Sequence, residues 1–121
     1  MRLLKIVDEF SVCKLSSVEN VDLTEAYTFL SVTDDEISLV CRREYVPEEA
    51  VESEDGWRAL KLSGVLDFSM IGLRSKISCL LAEHDIHTFA ISTFNTDYIL
   101  IKSAYFDNAL GILTEHGYEV I

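Results

Sequence analysis

Apolar and polar positions follow their most regular pattern in the second half of the chain. Residues 57–62 alternate large apolar side chains with basic ones, which predicts a half-buried strand. A turn over residues 63–67 follows, and Ser69 is suited to cap a helix because its hydroxyl can accept a bond from an unpaired backbone N–H. The next apolar positions share one helical face and predict a helix that ends near residues 84–85. They are Leu73, Ile77, Leu80, Leu81 and His84.

The segment after this helix has the pattern of a β-hairpin. Residues 86–92 are rich in β-branched and aromatic side chains, and residues 97–102 form a second run of the same kind. Only residues 93–96 lie between the two runs, and they are typical of a turn. Two strands with so short a connection predict an antiparallel pair.

A second helix and a last strand complete the pattern. The helix begins at Ser103, and Gly117 suits the left-handed position just past its end. Its apolar stripe consists of Phe106, Ala109, Leu110 and Leu113. With a short strand at residues 118–120, the order over residues 57–121 is β-α-β-β-α-β. This order predicts an α+β fold of the ferredoxin-like type, with antiparallel sheets and the helices on one face.

The first half is less regular. Residues 21–27 could form one or two helical turns, and Pro47 could begin a short helix, since proline is tolerated at the first helical position. Asp34 and Asp35 are suited to the turn of a hairpin. Four strands are predicted, over residues 3–7, 10–15, 29–33 and 36–41.

The boundary between two halves is expected in the acidic segment at residues 46–56, which has no strong apolar pattern. The first half has no long amphipathic helix, so if it shares the fold of the second half it is a trimmed copy. We therefore predict a degenerate module at residues 1–55 and a complete one at residues 56–121.

The charge balance narrows the classes of partner. Of 121 residues, 49% are hydrophobic and 26% charged, which is typical of a folded domain rather than a disordered segment. Twenty-one acidic residues oppose ten basic ones, for a formal charge of -11. Nucleic acids and anionic membranes are therefore not expected as direct partners, since both select basic surfaces.

The sequence also predicts a cytoplasmic location. No apolar run reaches the length of a transmembrane helix, and charges among the first ten residues interrupt any secretory signal. Cys13, Cys41 and Cys79 lie far apart without a CxxC pair. This spacing favours small buried thiols over a disulfide framework.

Motifs for catalysis are scarce. The chain has no GxSxG, P-loop or GxGxxG segment. Cys79 lies on a predicted helix and is a candidate nucleophile, although a small buried hydrophobic residue is the simpler interpretation. His84, His87 and His116 lie at or near helix ends, where an imidazole interacts favourably with the helix dipole, and their spacing does not predict a zinc site. The acidic runs lack the glycine and ligand spacing of a calcium loop. We expect no catalytic site, no metal and no cofactor.

Two features are candidates for ligand binding. The turn at residues 64–69 precedes the first long helix, whose unpaired N–H groups suit a carboxylate, and the small residue Gly72 would let a ligand approach. The alternative is an ordinary turn between strand and helix. Asp97 begins a strand beside Thr93 and Thr96, where its carboxylate suits a ligand ammonium group. The alternative is an aspartate that caps the turn.

Several of these segments resemble the ACT domain. The turn at residues 64–68 (GVLDF) leads into a helix that ends with LLAEHDI at residues 80–86. Residues 89–100 (FAISTFNTDYIL) are similar to a segment of a bacterial ACT subfamily related to the arginine-sensing CASTOR proteins. Further similar segments are residues 10–15, 29–33, 35–41 and 56–62.

The resemblance implies two tandem ACT-like modules, the first degenerate, and a homodimer. It also implies a small ligand, usually an amino acid, held at the interface between modules, without implying which amino acid. The residues that carry over by position are Asp67, Phe68 and Ser69 of the turn, Ser92, Thr93, Thr96 and Asp97 of the hairpin, and Ser31 and Val32 of the other module.

Three hypotheses for function remain open at this point. The first is a non-catalytic regulatory protein that binds an amino acid. The second is a protein-interaction subunit with a vestigial ligand site, which regulates an unidentified partner enzyme by docking through an open sheet edge. The third is a small enzyme that uses Cys79 or a histidine, although no nucleophile and base can be paired from the sequence.

Overall fold

The computed structural model describes residues 2–63 and 69–121. Within these residues the chain forms a mixed α/β fold with antiparallel strand pairs and two α-helices, consistent with the ferredoxin-like prediction. The strands are β1 (Arg2–Leu15), β2 (Phe29–Val32), β3 (Ile37–Arg42), β4 (Glu52–Ser63), β5 (Thr88–Ser92), β6 (Asp97–Lys102) and β7 (Glu119–Val120). The helices are α1 (Ser69–Glu83) and α2 (Ser103–Glu115), and a 3-10 turn covers Arg43–Tyr45.

The chain divides into two compact units. The larger unit combines Met1–Val7 with Arg58–Ile121, and the smaller unit is Asp8–Trp57. Strands β1 and β4 each continue from one unit into the other. From the sequence, the module boundary is expected between residues 55 and 56, and that boundary stays a prediction.

In the larger unit, strand β6 is hydrogen-bonded to β4 and β5, and β1 to β4 and β7. The β5–β6 pair is an antiparallel hairpin, as the sequence predicted. The β7–β1 pair is parallel, with Leu3 opposite Val120. This pair adds one parallel contact to the predicted antiparallel sheet, because the first strand of the chain joins this unit beside its last strand.

The core of the larger unit is formed by the apolar faces of both helices and of the strands. Helix α1 buries Ile77 and Leu81, and α2 buries Phe106 and Leu113, in agreement with the helical spacing of the sequence. His84, which was predicted on the same stripe, is exposed because α1 ends at Glu83. The other buried members of this core are Leu3, Leu60, Leu62, Ile86, Ile99, Ile101, Ala109 and Ile112.

In the smaller unit, β3 pairs antiparallel with both β1 and β2. Its core contains Cys13, Leu15, Leu39 and Cys41. The two strands predicted over residues 3–7 and 10–15 are one continuous strand, β1, because the charged residues between them also adopt an extended conformation.

The smaller unit, all of whose residues are described, contains no α-helix. Residues 21–27 form turns, because Asp22 Oδ1 accepts hydrogen bonds from the Thr24 backbone N–H at 3.0 Å and the Thr24 hydroxyl at 2.5 Å. Such local bonds compete with helix formation. Pro47 likewise lies in a turn, in which the Pro47 carbonyl oxygen accepts a hydrogen bond from the Ala50 backbone N–H at 3.1 Å. Both helical predictions for this half are therefore wrong.

Candidate functional site

The β5–β6 hairpin carries four of the residues predicted to bind ligand. The Thr96 carbonyl oxygen accepts bonds from the Thr93 backbone N–H at 2.8 Å and from the Thr93 hydroxyl at 3.0 Å, which closes the predicted turn. Ser92 and Asp97 therefore lie opposite each other, at the end of one strand and the start of the next. The hairpin thus brings these four side chains to one end of the β5–β6 pair.

Asp97 is only 7% exposed although it carries a carboxylate. Burial of a charge is costly unless a partner compensates it. The partner is Arg74 of α1, whose Nη1 lies 3.6 Å from Asp97 Oδ1 and donates a hydrogen bond of 2.5 Å to Ser92 Oγ. One guanidinium nitrogen thus contacts both members of the cross-strand pair. We refer to Arg74, Ser92 and Asp97 as the Arg74 cluster.

The two charges of the Arg74 cluster attract each other without a direct hydrogen bond. Their separation of 3.6 Å exceeds the distance of about 2.7–2.9 Å typical of a charge-assisted bond. The Arg74 side chain is 31% exposed and that of Asp97 is 10% exposed. The cluster is therefore accessible from solvent at Ser92, which is exposed, and at the Arg74 side chain.

Asp97 and Ser92 are recognisable in the sequence as candidate ligand residues, whereas Arg74 is not. The sequence of α1 contains two basic residues, Arg74 and Lys76, and nothing in their local pattern distinguishes them. The requirement that a buried carboxylate has a cationic partner would have pointed to one of them. That requirement becomes visible only when the burial of Asp97 is known.

The start of α1 holds the remaining predicted residues of this unit. Ser69 is the first residue of the helix, and its side chain, like the whole of Asp67 and Phe68, lies outside the described part of the chain. Gly72 is exposed, and a Cβ added there would meet no atom within 4 Å. The helix surface near Gly72 is therefore open space.

Ser31 and Val32 lie on β2 of the smaller unit. Both are exposed, and they pair across the strand with Ser38 and Ile37. Their contribution to a ligand site stays a prediction.

The three cysteines have different environments. Cys13 and Cys41 are buried, as predicted, and their thiols are hydrogen-bonded, which lowers the pKa of Cys13 to about 7 and raises the pKa of Cys41. Cys79 is exposed, so its interpretation as a buried hydrophobic residue is wrong. It follows buried Ile77 by two positions, which places it on the opposite side of the helix.

The helix-terminal histidines bond to their own helices. Nδ1 of His84 lies 3.0 Å from the Leu80 carbonyl oxygen, and Nδ1 of His116 lies 2.9 Å from that of Ile112. Each imidazole therefore satisfies a carbonyl group near a helix C-terminus, where a partial positive charge is favourable. Within residues 2–63 and 69–121, no group of three or more histidine, cysteine or acidic side chains is arranged to hold a metal ion.

Comparison with known protein families identifies the family of this chain. A family profile described as the ACT domain matches residues 52–115, more than half of the chain. The chain belongs to the ACT-domain family. ACT domains are typically regulatory domains that bind small molecules, and the family match supports a regulatory role here.

Several solved structures share the fold of this ACT-domain protein. A protein from Agobacterium tumefaciens is similar with a TM-score of 0.86 at 24% identity, over 99% of this chain and 91% of that one. A structure of aspartokinase α and β subunits is similar with a TM-score of 0.66 at 16% identity, over 94% of this chain and 91% of that one. The regulatory subunit of aspartate kinase from Thermus thermophilus is similar with a TM-score of 0.62 at 9% identity, over 93% of this chain and 95% of that one.

At these identities the structural similarities establish the fold alone. A comparison with curated proteins finds no match to the sequence. Neither of the two helices described in this chain is both long and apolar enough to cross a membrane.

Proposed function

We propose that this ACT-domain protein is a non-catalytic regulatory protein that binds an amino acid at the end of the β5–β6 hairpin. The observation that carries the proposal is the nearly buried carboxylate of Asp97 beside α1. A carboxylate in such surroundings favours a ligand ammonium group, because charge-assisted bonds are strong where water is largely excluded. Family membership supports the wider class, a small-molecule regulatory domain.

A comparison within the chain supports the proposed tandem arrangement. Strand β3 begins at Ile37 and β6 begins at Asp97, sixty positions later. The Glu36 carbonyl oxygen accepts bonds from the Thr33 backbone N–H at 3.0 Å and hydroxyl at 3.1 Å, as the carbonyl of Thr96 does in the other hairpin. We infer that residues 1–55 form a degenerate ACT-like module, in which Ile37 occupies the position that Asp97 has in the second module.

In the proposed site, Asp97 binds the ammonium group of the ligand. Ser92, Thr93 and Thr96 add hydroxyl groups at the same end of the hairpin. From the sequence alone, the turn that leads into α1 is a candidate for the ligand carboxylate, and the open space at Gly72 is consistent with a ligand near this helix. We propose Ser31 and Val32 as further ligand contacts on the strength of the sequence resemblance.

The test is a thermal-shift screen of the protein against the twenty proteinogenic L-amino acids. Ligand at 100 times its Kd stabilises the folded state by about 2.7 kcal/mol, enough to raise Tm by several degrees. We expect one amino acid or a few related ones to raise Tm, and Asp97→Asn to abolish the rise. Asp107→Asn, at an exposed position of α2, is the control that keeps the response.

Two results would contradict the proposal in different ways. A flat screen with every amino acid at millimolar concentration would reject amino-acid binding. A normal response in Asp97→Asn would reject the site and leave the function standing.

The alternative function is a docking subunit that regulates a partner enzyme. Phe94 at the tip of the β5–β6 turn is 100% exposed, and exposed aromatic residues are frequent anchors of protein interfaces. A flat amino-acid screen, together with co-purification of one enzyme that Phe94→Ser abolishes, would favour this alternative.

We further propose a homodimer, as the family resemblance implies, in the cytoplasmic location that the sequence predicts. Light scattering of the purified protein should then give twice the chain mass of 13.7 kDa. A mass of one chain at micromolar concentration would reject the dimer.

A further inference from the structure

The two hairpins of this chain show that the polar pair next to the turn is not needed for the hairpin to form. Both turns close with the same two threonine bonds. The cross-strand pair beside the turn is Val32–Ile37 in the smaller unit and Ser92–Asp97 in the larger one. Valine and isoleucine are also better strand residues than serine and aspartate. Hairpin formation therefore does not explain why the larger unit buries a carboxylate here.

The position of Arg74 suits an anionic group from solvent. Its Nη1 is held by Ser92 at 2.5 Å, and about a third of the side chain is exposed. A guanidinium carries five N–H donors in a planar fork that matches the two oxygens of a carboxylate. Both contacts with the hairpin use Nη1, so Nε and Nη2 have no bond to the described residues of the hairpin and are donors for an anion.

The net charge of the chain makes this cation important for any ligand that carries a carboxylate. The chain carries a formal charge of -11, and its overall field repels anions. Arg74 provides a local positive charge 3.6 Å from the negative charge of Asp97. An α-amino acid bears its ammonium and carboxylate groups on one carbon atom, so the two ligand charges match this pair of neighbouring protein charges.

We propose that Arg74 is the specificity-determining residue of the site: its guanidinium, rather than the turn that leads into α1, binds the α-carboxylate of the ligand, while Asp97 binds the ammonium group. The proposal rests on the amino-acid-binding function above and extends it. It assigns the ligand to the class of free α-amino acids and excludes amines that lack the carboxylate.

The experiment compares each amino acid with its α-carboxamide, in which an uncharged amide replaces the carboxylate. Binding of the twenty L-amino acids and their amides is measured by calorimetry on wild type, Arg74→Gln and Arg74→Lys. Wild type should bind the acid at least about 10-fold more tightly than the amide, because one hydrogen bond to a charged group contributes about this much affinity. Arg74→Gln should reduce the preference to less than about 3-fold, and Arg74→Lys should restore part of it.

Two further variants separate binding from folding. Lys76→Gln removes the exposed basic residue two positions along α1 and should keep the wild-type preference. The double variant Ser92→Val with Asp97→Ile copies the pair of the smaller unit, and it should fold, as judged by circular dichroism, without binding amino acids.

Each failure has a distinct meaning. If Arg74→Gln keeps the full preference for the acid, the carboxylate binds elsewhere and the role of Arg74 is rejected, while amino-acid binding stands. Equal affinity of wild type for acids and amides also rejects this role. If wild type binds none of the compounds, the proposed function and the role of Arg74 are both rejected.

Discussion

Ser11 illustrates what a single buried hydroxyl contributes in the smaller unit. It is fully buried, and its Oγ donates a hydrogen bond of 2.5 Å to Asp55 Oδ1. This bond lowers the pKa of Asp55 below its ordinary value, and the Arg43 guanidinium acts in the same direction. A carboxyl group whose pKa is lower in the folded state stabilises the fold above its unfolded pKa. That stabilisation is lost as pH falls through the folded pKa.

We therefore predict that Ser11→Ala destabilises the protein near neutral pH and makes its stability less dependent on pH in the acid range. The difference in unfolding free energy between variant and wild type should be largest near neutral pH and should decrease below about pH 4, where Asp55 becomes protonated in both. Denaturant unfolding followed by circular dichroism, repeated over a series of acid pH values, measures the unfolding free energy of variant and wild type and its dependence on pH. Ser16→Ala, at an exposed position nearby, is the control. A difference that is the same at all pH values would show that Asp55 is not involved.

At the residue scale, the sequence identified candidates for binding but not their partners. Asp97 was recognisable because an aspartate beside two threonines at the start of a strand is a chemically distinct local pattern. Arg74 was not, because it precedes Ser92 by 18 positions and its contact depends on how α1 packs on the hairpin. Local sequence shows which groups are present, whereas packing decides which of them meet.

The end of α2 shows how one residue type defines the boundary of an element. Gly117 has a φ of +89°, in the left-handed region where a Cβ is unfavourable. Around it, the Leu113 carbonyl oxygen accepts the Tyr118 N–H at 3.1 Å, which satisfies a carbonyl at the helix end. This arrangement directs the chain from α2 into β7.

We predict opposite effects for alanine at two glycines of this region. Gly117→Ala should destabilise the protein by roughly 1–2 kcal/mol because of its left-handed backbone. Gly111→Ala, inside α2 with no atom near an added Cβ, should stabilise it by about 0.5–1 kcal/mol. Denaturant unfolding measures both changes. Destabilisation by both substitutions would show that the left-handed backbone of Gly117 is not what distinguishes the two glycines.

At the element scale, the sequence was accurate where the apolar pattern is periodic. Both helices and the β5–β6 hairpin follow from that pattern, since one buried face imposes its period on the sequence. The helical predictions at residues 21–27 and at Pro47 were wrong. In the first of these segments, the side chain of Asp22 accepts hydrogen bonds from Thr24 and stabilises a turn. Side-chain bonds to nearby backbone are weak indicators in a sequence, and here they override helix propensity.

The two units of the molecule have separate apolar cores but share strands β1 and β4. Both described α-helices belong to the larger unit. Loss of order in the smaller unit would release parts of the same two strands on which the larger unit depends. We therefore expect the units to unfold together.

The prediction is tested with Leu39→Ala, which creates a cavity in the core of the smaller unit. Such a substitution typically costs about 2–5 kcal/mol. If the units are coupled, Tm measured from the helical circular dichroism signal falls, although the helices lie in the other unit. Leu23→Ala, at a position that is 68% exposed, is the control. A helical signal with unchanged Tm in Leu39→Ala would show that the two units unfold independently.

The sequence by itself determined the order of elements over residues 57–121, the net negative charge of the chain, and the choice of Asp97 as a candidate ligand residue. These properties depend on local periodicity, composition and short motifs. Tertiary structure alone decided that the first strand of the chain pairs with the last, and that Arg74 meets Ser92 and Asp97. Both are contacts between segments distant in the chain. They arise from the burial of apolar faces, which determines which distant polar groups come together.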